Sequence, residues 1–199
     1  RPHLRSTACF GMQCKVAAVL LLVGAASVVE AVDIHEAVRN DSPQAIGEAL
    51  AAGESIDKIG PGGQTPLMHG VLQGKLEAVK FLLGKGADVS IGEKDGYTPM
   101  HGAGFQGRAE IAKALIEHGL DPSDRHSDGY TPLHRACWGA EPRHTETVRV
   151  LLKAGVSATE PGKDGKLPID MVRNNPRTVK LLKARMQKAE ASGSGGTDL

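Results

Sequence analysis

Histidine and cysteine are the residues with the most chemistry to offer in this chain of 199, which carries eight of the first and three of the second. Cys137 follows His134 by three positions, a spacing that invites a thiolate pair, and the histidines invite a metal or catalytic reading. A nucleophilic thiol needs an electropositive, exposed setting. Cys9, Cys14 and Cys137 are moreover an odd, scattered set with no paired metal spacing. Gly162-Lys163-Asp164-Gly165 places a lysine between glycines. No Gly-x-x-x-x-Gly-Lys-Ser/Thr run occurs, so this stretch reads as a turn rather than a phosphate cradle. No catalytic residue, cofactor or metal site is expected, and the protein is read as a non-enzyme.

Charge narrows the classes further. The formal net charge is only +1, which argues against a polyanion-wrapping protein and against an acidic disordered tail. Mean hydropathy is −0.22, which excludes a multi-span membrane protein. With 25 glycines and 3% aromatic residues, the core must come from aliphatic side chains and closely approaching helices. The ends differ: residues 30–58 hold seven acids and two bases, whereas residues 173–188 hold six bases and no acid. These stretches read as solvated caps, or else the basic end touches an acidic partner, an anionic membrane or nucleic acid. No aromatic lies among those bases to stack on nucleobases, so nucleic acid is not an expected partner.

The first thirty residues are of another kind. Arg1, Arg5 and Lys15 precede any acid, and residues 16–29 form an uncharged apolar run. At fourteen residues it is short for a membrane span, which needs about 20. It suits a targeting leader over residues 1–31, with Val29-Glu30-Ala31 as a small-residue cleavage site and Met12 as a candidate start. An uncleaved anchor and a buried first helix are the other readings. The leader implies the secretory pathway or an organelle lumen, and otherwise the protein is cytoplasmic. Once the leader is cleaved, no stable membrane insertion is expected.

The elements that position these side chains recur with a fixed period. Thr65-Pro66-Leu67-Met68, Thr98-Pro99-Met100-His101 and Thr131-Pro132-Leu133-His134 are each 33 residues apart. A degenerate Leu167-Pro168-Ile169-Asp170 follows after 36, its extra three residues matching an insertion around Ala140-Glu141-Pro142. One period before Thr65, Val32 opens a partial unit. In each unit a Gly-containing turn leads to Thr-Pro, which opens a helix with threonine as N-cap and proline at the first position. A second helix carries an aliphatic stripe (Val79, Leu82, Leu83; Ile111, Leu115, Ile116; Val148, Leu151, Leu152). Gly86, Gly119 and Gly155 end it by a left-handed stop.

Gly-x-Thr-Pro-Leu-x-x-Gly with Leu-Leu-x-x-Gly-Ala in register resembles the ankyrin repeat family over about residues 32–185. The resemblance implies an all-α solenoid of helix-turn-helix units with short β-hairpin loops, three full repeats between two degenerate caps. It also implies that His35, His101 and His134 bond their own repeat's threonine and a neighbouring backbone. Stacked helices lie roughly 8–10 Å apart, too far for two such imidazoles to share one zinc. In this pattern Cys137 takes the place of a small core alanine, as a buried inert thiol. Met68 replaces the usual histidine; Leu167 and Asp170 depart from the pattern as a terminal cap can. Leu182, in that cap, is expected to turn one side to solvent. Residues 186–199 read as a flexible Ser/Gly-rich tail. Its end, Thr197-Asp198-Leu199, has the form of a PDZ ligand, a pattern loose enough to arise often by chance.

In the ankyrin pattern the residue before Thr-Pro and those seven and eight after the threonine point to the concave side. These are Gln64, Leu72 and Gln73; Tyr97, Phe105 and Gln106; and Tyr130, Trp138 and Gly139. Four of the six aromatic residues in the chain fall among them. Leu72, Phe105 and Trp138 are expected to form an exposed ladder flanked by Tyr97 and Tyr130, or else to shield the short helices by packing on one another. The implied function is non-enzymatic binding of a partner protein, by a chain expected to be monomeric alone. The alternative is a structural subunit held permanently in a larger complex.

Overall fold

The computed structural model describes residues 32–193 apart from Lys94. The leader expected over residues 1–31 and the terminal Thr197-Asp198-Leu199 lie outside the described residues. Nine α-helices follow one another in the described chain: α1 (Ile34–Arg39), α2 (Pro43–Ala51), α3 (Pro66–Gln73), α4 (Leu76–Gly84), α5 (Pro99–Gln106), α6 (Ala109–Glu117), α7 (Pro132–Cys137), α8 (Pro142–Lys153) and α9 (Pro176–Gly193). A 3-10 turn, Pro168–Met171, stands where the next odd helix would begin.

Two rows result. The first helices touch in the series α1, α3, α5, α7 and the Pro168–Met171 turn, and the second helices in the series α2, α4, α6, α8 and α9. Each unit meets only its neighbours in sequence, as a linear array requires. The core between the rows is aliphatic, with Ile34, Leu67, Val79, Leu82, Met100, Leu115, Leu133, Val148 and Leu151 buried. Ile116, expected in this stripe, is only half-buried.

Local chemistry explains the boundaries. Proline opens α3, α5 and α7 behind Thr65, Thr98 and Thr131, all in extended conformation. Gly86, Gly119 and Gly155 end the second helices with φ of 83°, 97° and 96°, a region that costs a side-chain-bearing residue strain. The three-residue insertion lengthens α8 to 12 residues against 9 in α4 and α6.

The loops keep the closing bond of a hairpin and no ladder beyond it. The amides of Gly60, Glu93, His126 and Gly162 donate to the carbonyls of Gln64, Tyr97, Tyr130 and Lys166. No described residue is in a strand. With one further bond inside each turn, too few residues are paired to make a sheet.

The acidic start has a structural use. Asp33 accepts from the amides of His35 and Glu36 at the start of α1, Glu54 accepts from Ile34, and Lys58 joins both carboxylates at 3.2 and 2.7 Å.

Two expectations at the other end need correction. The tail expected to be flexible from Met186 is helical through Gly193, because Met-Gln-Lys-Ala-Glu-Ala is a helix-forming run and Met186 packs against the core. Leu182 does not meet solvent: it is fully buried, since α9 turns this side toward α8 and its bases outward.

Candidate functional site

The three unit-opening threonines behave differently according to the residue three places on. Where that residue is Met68, the Thr65 hydroxyl accepts from its amide at 3.2 Å. Where it is histidine, the hydroxyl faces the imidazole instead: Thr98 Oγ1 lies 2.8 Å from His101 Nδ1, and Thr131 Oγ1 2.9 Å from His134 Nδ1. The far nitrogen then reaches the next unit, His101 Nε2 to the Tyr130 carbonyl at 3.2 Å and His134 Nε2 to that of Lys166 at 3.3 Å. A carbonyl can only accept, so Nε2 carries the proton and Nδ1 accepts the hydroxyl. Burial holds both imidazoles below the ordinary histidine range, which keeps them neutral. His35 makes a similar link, Nε2 to the Lys58 carbonyl at 2.8 Å.

Cys137 is fully buried, and burial pushes its thiol up to about 12. Such a thiol is not a nucleophile at neutral pH. Among the described residues no three His, Cys, Asp or Glu side chains gather as a metal site requires, and no helix is long and apolar enough to cross a membrane.

The aromatic residues do converge, around a side chain outside the expected binding set. Arg135, one turn into α7, is buried apart from 4% of its side chain. Its guanidinium lies 4.7 Å from the ring centre of Tyr97, 5.0 Å from that of Tyr130 and 4.5 Å from that of Trp138. It donates to the Tyr97 hydroxyl at 2.7 Å and to the Asp128 carboxylate. Burial alone would raise the Asp128 carboxyl; the Tyr130 amide, His126 and Arg135 together hold it below its ordinary range. The rings also pair with one another. Trp138 meets Phe105 edge-to-face at 6.1 Å and Tyr130 at 6.2 Å, while Tyr97 stacks on His126 at 4.0 Å and Tyr130 on His134 at 5.1 Å.

The expected exposed ladder is therefore corrected. Phe105 is 50% exposed, but Leu72, Trp138, Tyr97 and Tyr130 are half-buried, because Arg135 draws three of the rings around its cation. A sequence signal for Arg135 existed: its register position holds His69 and Gly102 in the two preceding units. A lone basic residue on a short apolar helix must find rings or a carboxylate.

Beside this cluster lies a cleft of about 190 Å³. Leu72, Tyr97, Phe105 and Trp138 line it with Gly102 and Arg135, and Glu93 and Asp95 stand at the loop end. Tyr130 touches the Arg135 guanidinium but does not line the cleft. Gln73 is exposed and Gln106 half-buried, and neither lines the cleft. Gln64 bonds Glu93 from Nε2 at 2.6 Å, tying two adjacent loops. Ile59, 56% exposed on the first loop, is a second apolar tip not anticipated from the repeat pattern.

The basic end forms a broader groove between α8 and α9, lined by Arg143, Arg149, Arg177 and Lys180. Arg149 pairs with Glu146 at 3.2 Å and Arg143 with Glu141 at 3.0 Å, so part of its charge is already neutralised.

A family model for ankyrin repeats matches residues 34–126 and 89–162. A comparison with curated proteins finds no match. Ankyrin repeats are generally protein–protein interaction modules and typically have no enzymatic activity. Taken with the two helix rows, the Thr-Pro helix starts and the histidine links between units, the match means that this chain belongs to the ankyrin repeat family.

Proposed function

We propose that this protein binds a partner protein, without catalysing a reaction, through the cleft and rings that Leu72, Tyr97, Phe105, Tyr130 and Trp138 build along the first-helix row, with Gln73 and Gln106 at its margin. The observation that supports the reading best is Phe105. It is a large apolar side chain left half in solvent beside a half-buried tryptophan and an arginine, the residue types enriched at binding hot spots. The inert Cys137 thiol and the neutral, fully bonded His101 and His134 offer no nucleophile or base, in keeping with recognition rather than chemistry.

The apolar run at residues 16–29 supports delivery of the domain to a secretory or organelle lumen, a reading checked by the N-terminus of the mature protein in its native cell.

Affinity capture from native cells, with the full chain and Phe105→Ala compared side by side, tests the binding reading. Proteins retained by the first and lost by the second are the expected partners, with affinity weakened by about 1–3 kcal/mol. The reading fails when both chains retain the same proteins equally.

A further inference from the structure

The cleft beside Arg135 has features that say what enters it. Its volume of about 190 Å³ falls short of the roughly 300–1,000 Å³ typical of small-molecule sites. A single side chain presented by a partner fits that space better than a free ligand. The walls are unlike one another. One end is apolar, with Leu72, Phe105 and the edge of Trp138. The loop residues Glu93 and Asp95 line the cleft as well; neither carboxylate is ion-paired with a described cation, and Glu93 accepts a hydrogen bond from Gln64 Nε2 at 2.6 Å. The nearby arginine does not supply that charge, because its guanidinium is committed to Asp128, Tyr97 and the three rings.

Gly102 lines the cleft at the register position that His69 and Arg135 fill in the adjoining units, and Leu72 and Met68 close in on it from the preceding unit. Arg135 forms the buried side of the cleft. Its side chain is 4% exposed, it lines the cleft, and its Nε has no hydrogen-bond partner in the chain.

We infer that the cleft receives a lysine or arginine side chain from an extended segment of a partner protein. Its methylene stem lies along Leu72, Gly102 and Phe105, and its cationic head reaches Glu93 and Asp95. A basic side chain matches both ends at once, as long cationic residues commonly cover apolar surface while keeping the charge at a polar rim. A purely apolar side chain would bring the two carboxylates no countercharge. An acidic one would meet them with like charge.

This inference rests on the protein-binding reading above and refines it. The test uses the full chain and tryptophan-free decapeptide pools whose central residue is fixed as lysine, arginine, norleucine or glutamate. Trp138 is the single tryptophan and forms a wall of the cleft, so its emission reports occupation. The lysine and arginine pools are expected to half-saturate at concentrations about ten-fold lower than the norleucine pool, with the glutamate pool weakest. Glu93→Gln with Asp95→Asn should abolish that preference and leave the norleucine value within about two-fold. Either single substitution should remove part of it, and stands in should the double variant melt. A norleucine pool as tight as lysine overturns the cation assignment and leaves the protein-binding reading standing. A glutamate pool that binds best, a basic preference that survives the double substitution, or Trp138 emission unmoved by every pool also overturns it. The broader reading falls separately, on the Phe105→Ala capture.

Discussion

The Arg135 guanidinium donates from Nη2 to the Tyr97 hydroxyl at 2.7 Å across 38 positions of sequence, and its centre lies 4.7 Å from the centre of the same ring. One side chain of the third unit thus holds the loop of the second by both its edge and its face. Because Tyr130 and Trp138 approach the same cation, the relationship organises the whole aromatic surface rather than one pair.

Arg135→Ala is accordingly expected to destabilise the domain by about 2–4 kcal/mol, through lost packing and ring contacts more than through the Asp128 ion pair. Asp128 is 37% exposed, so water compensates much of that charge. Arg135→Lys should still cost about 1–3 kcal/mol, since an ammonium cannot offer a plane to three rings. Urea unfolding measures both; a lysine variant as stable as the parent would mean the stacking contributes nothing.

Two glycines two residues apart in α5 should answer differently to the same substitution. A Cβ on Gly104 would overlap the Pro132 carbonyl oxygen, which is backbone and cannot easily yield. A Cβ on Gly102 would lie 3.3 Å from Leu72 Cδ2 and Met68 Sδ, the ends of flexible side chains. Helix propensity alone favours alanine over glycine by about 1 kcal/mol at either site. Gly104→Ala is therefore expected to lower stability by about 1–3 kcal/mol despite that gain, and Gly102→Ala to stay within about 1 kcal/mol of the parent. Thermal denaturation separates them, and equal melting temperatures would show that α5 and α7 do not approach as closely as described.

Leu115 and Leu182 are both fully buried. Truncation to alanine should remove about 2–5 kcal/mol at either site. The consequences differ by position: Leu115, in α6, supports units on two sides, whereas Leu182, in α9, supports one. Hydrogen exchange should show protection lost across α4 to α8 in Leu115→Ala and confined to α8 and α9 in Leu182→Ala. Uniform loss in both would contradict a linear array.

Acid should weaken the array before its carboxylates titrate. His101 and His134 are held neutral by burial, and unfolding releases them to protonate at the ordinary value of about 6.5. The unfolded chain thus binds more protons as pH falls. Stability contributed by these two groups is full above that value, and is lost as pH falls through it toward the lower folded-state values. Denaturation midpoints should decline from about pH 8 to about pH 5.5. Replacing both by methionine, the residue that Met68 already places in this slot, should flatten that decline while lowering the plateau. An unchanged slope in the double variant would assign the effect to other groups.

The array itself was legible in the sequence because each of its determinants is local. Thr-Pro sets a helix start, a glycine with positive φ sets its end, and the stripe around Leu82, Leu115 and Leu151 sets the buried face. Repetition at 33 residues then leaves one way to stack the units. The histidine links could be read in the same manner, from a fixed offset to threonine. What tertiary structure alone decided depends on neighbours a full unit away. Whether Phe105, Trp138 and the two tyrosines stand in solvent was settled by Arg135, whose partners Tyr97 and Tyr130 come from two different loops. The cleft is built by Leu72, Gly102, Phe105, Arg135 and Trp138, residues of three units that meet only once the units stack. The full burial of Leu182 came from the last helix finding α8 to lean on, a contact a full unit away in the array, whereas the helix carried on to Gly193 follows from a local helix-forming run beside the Ser/Gly content of the tail.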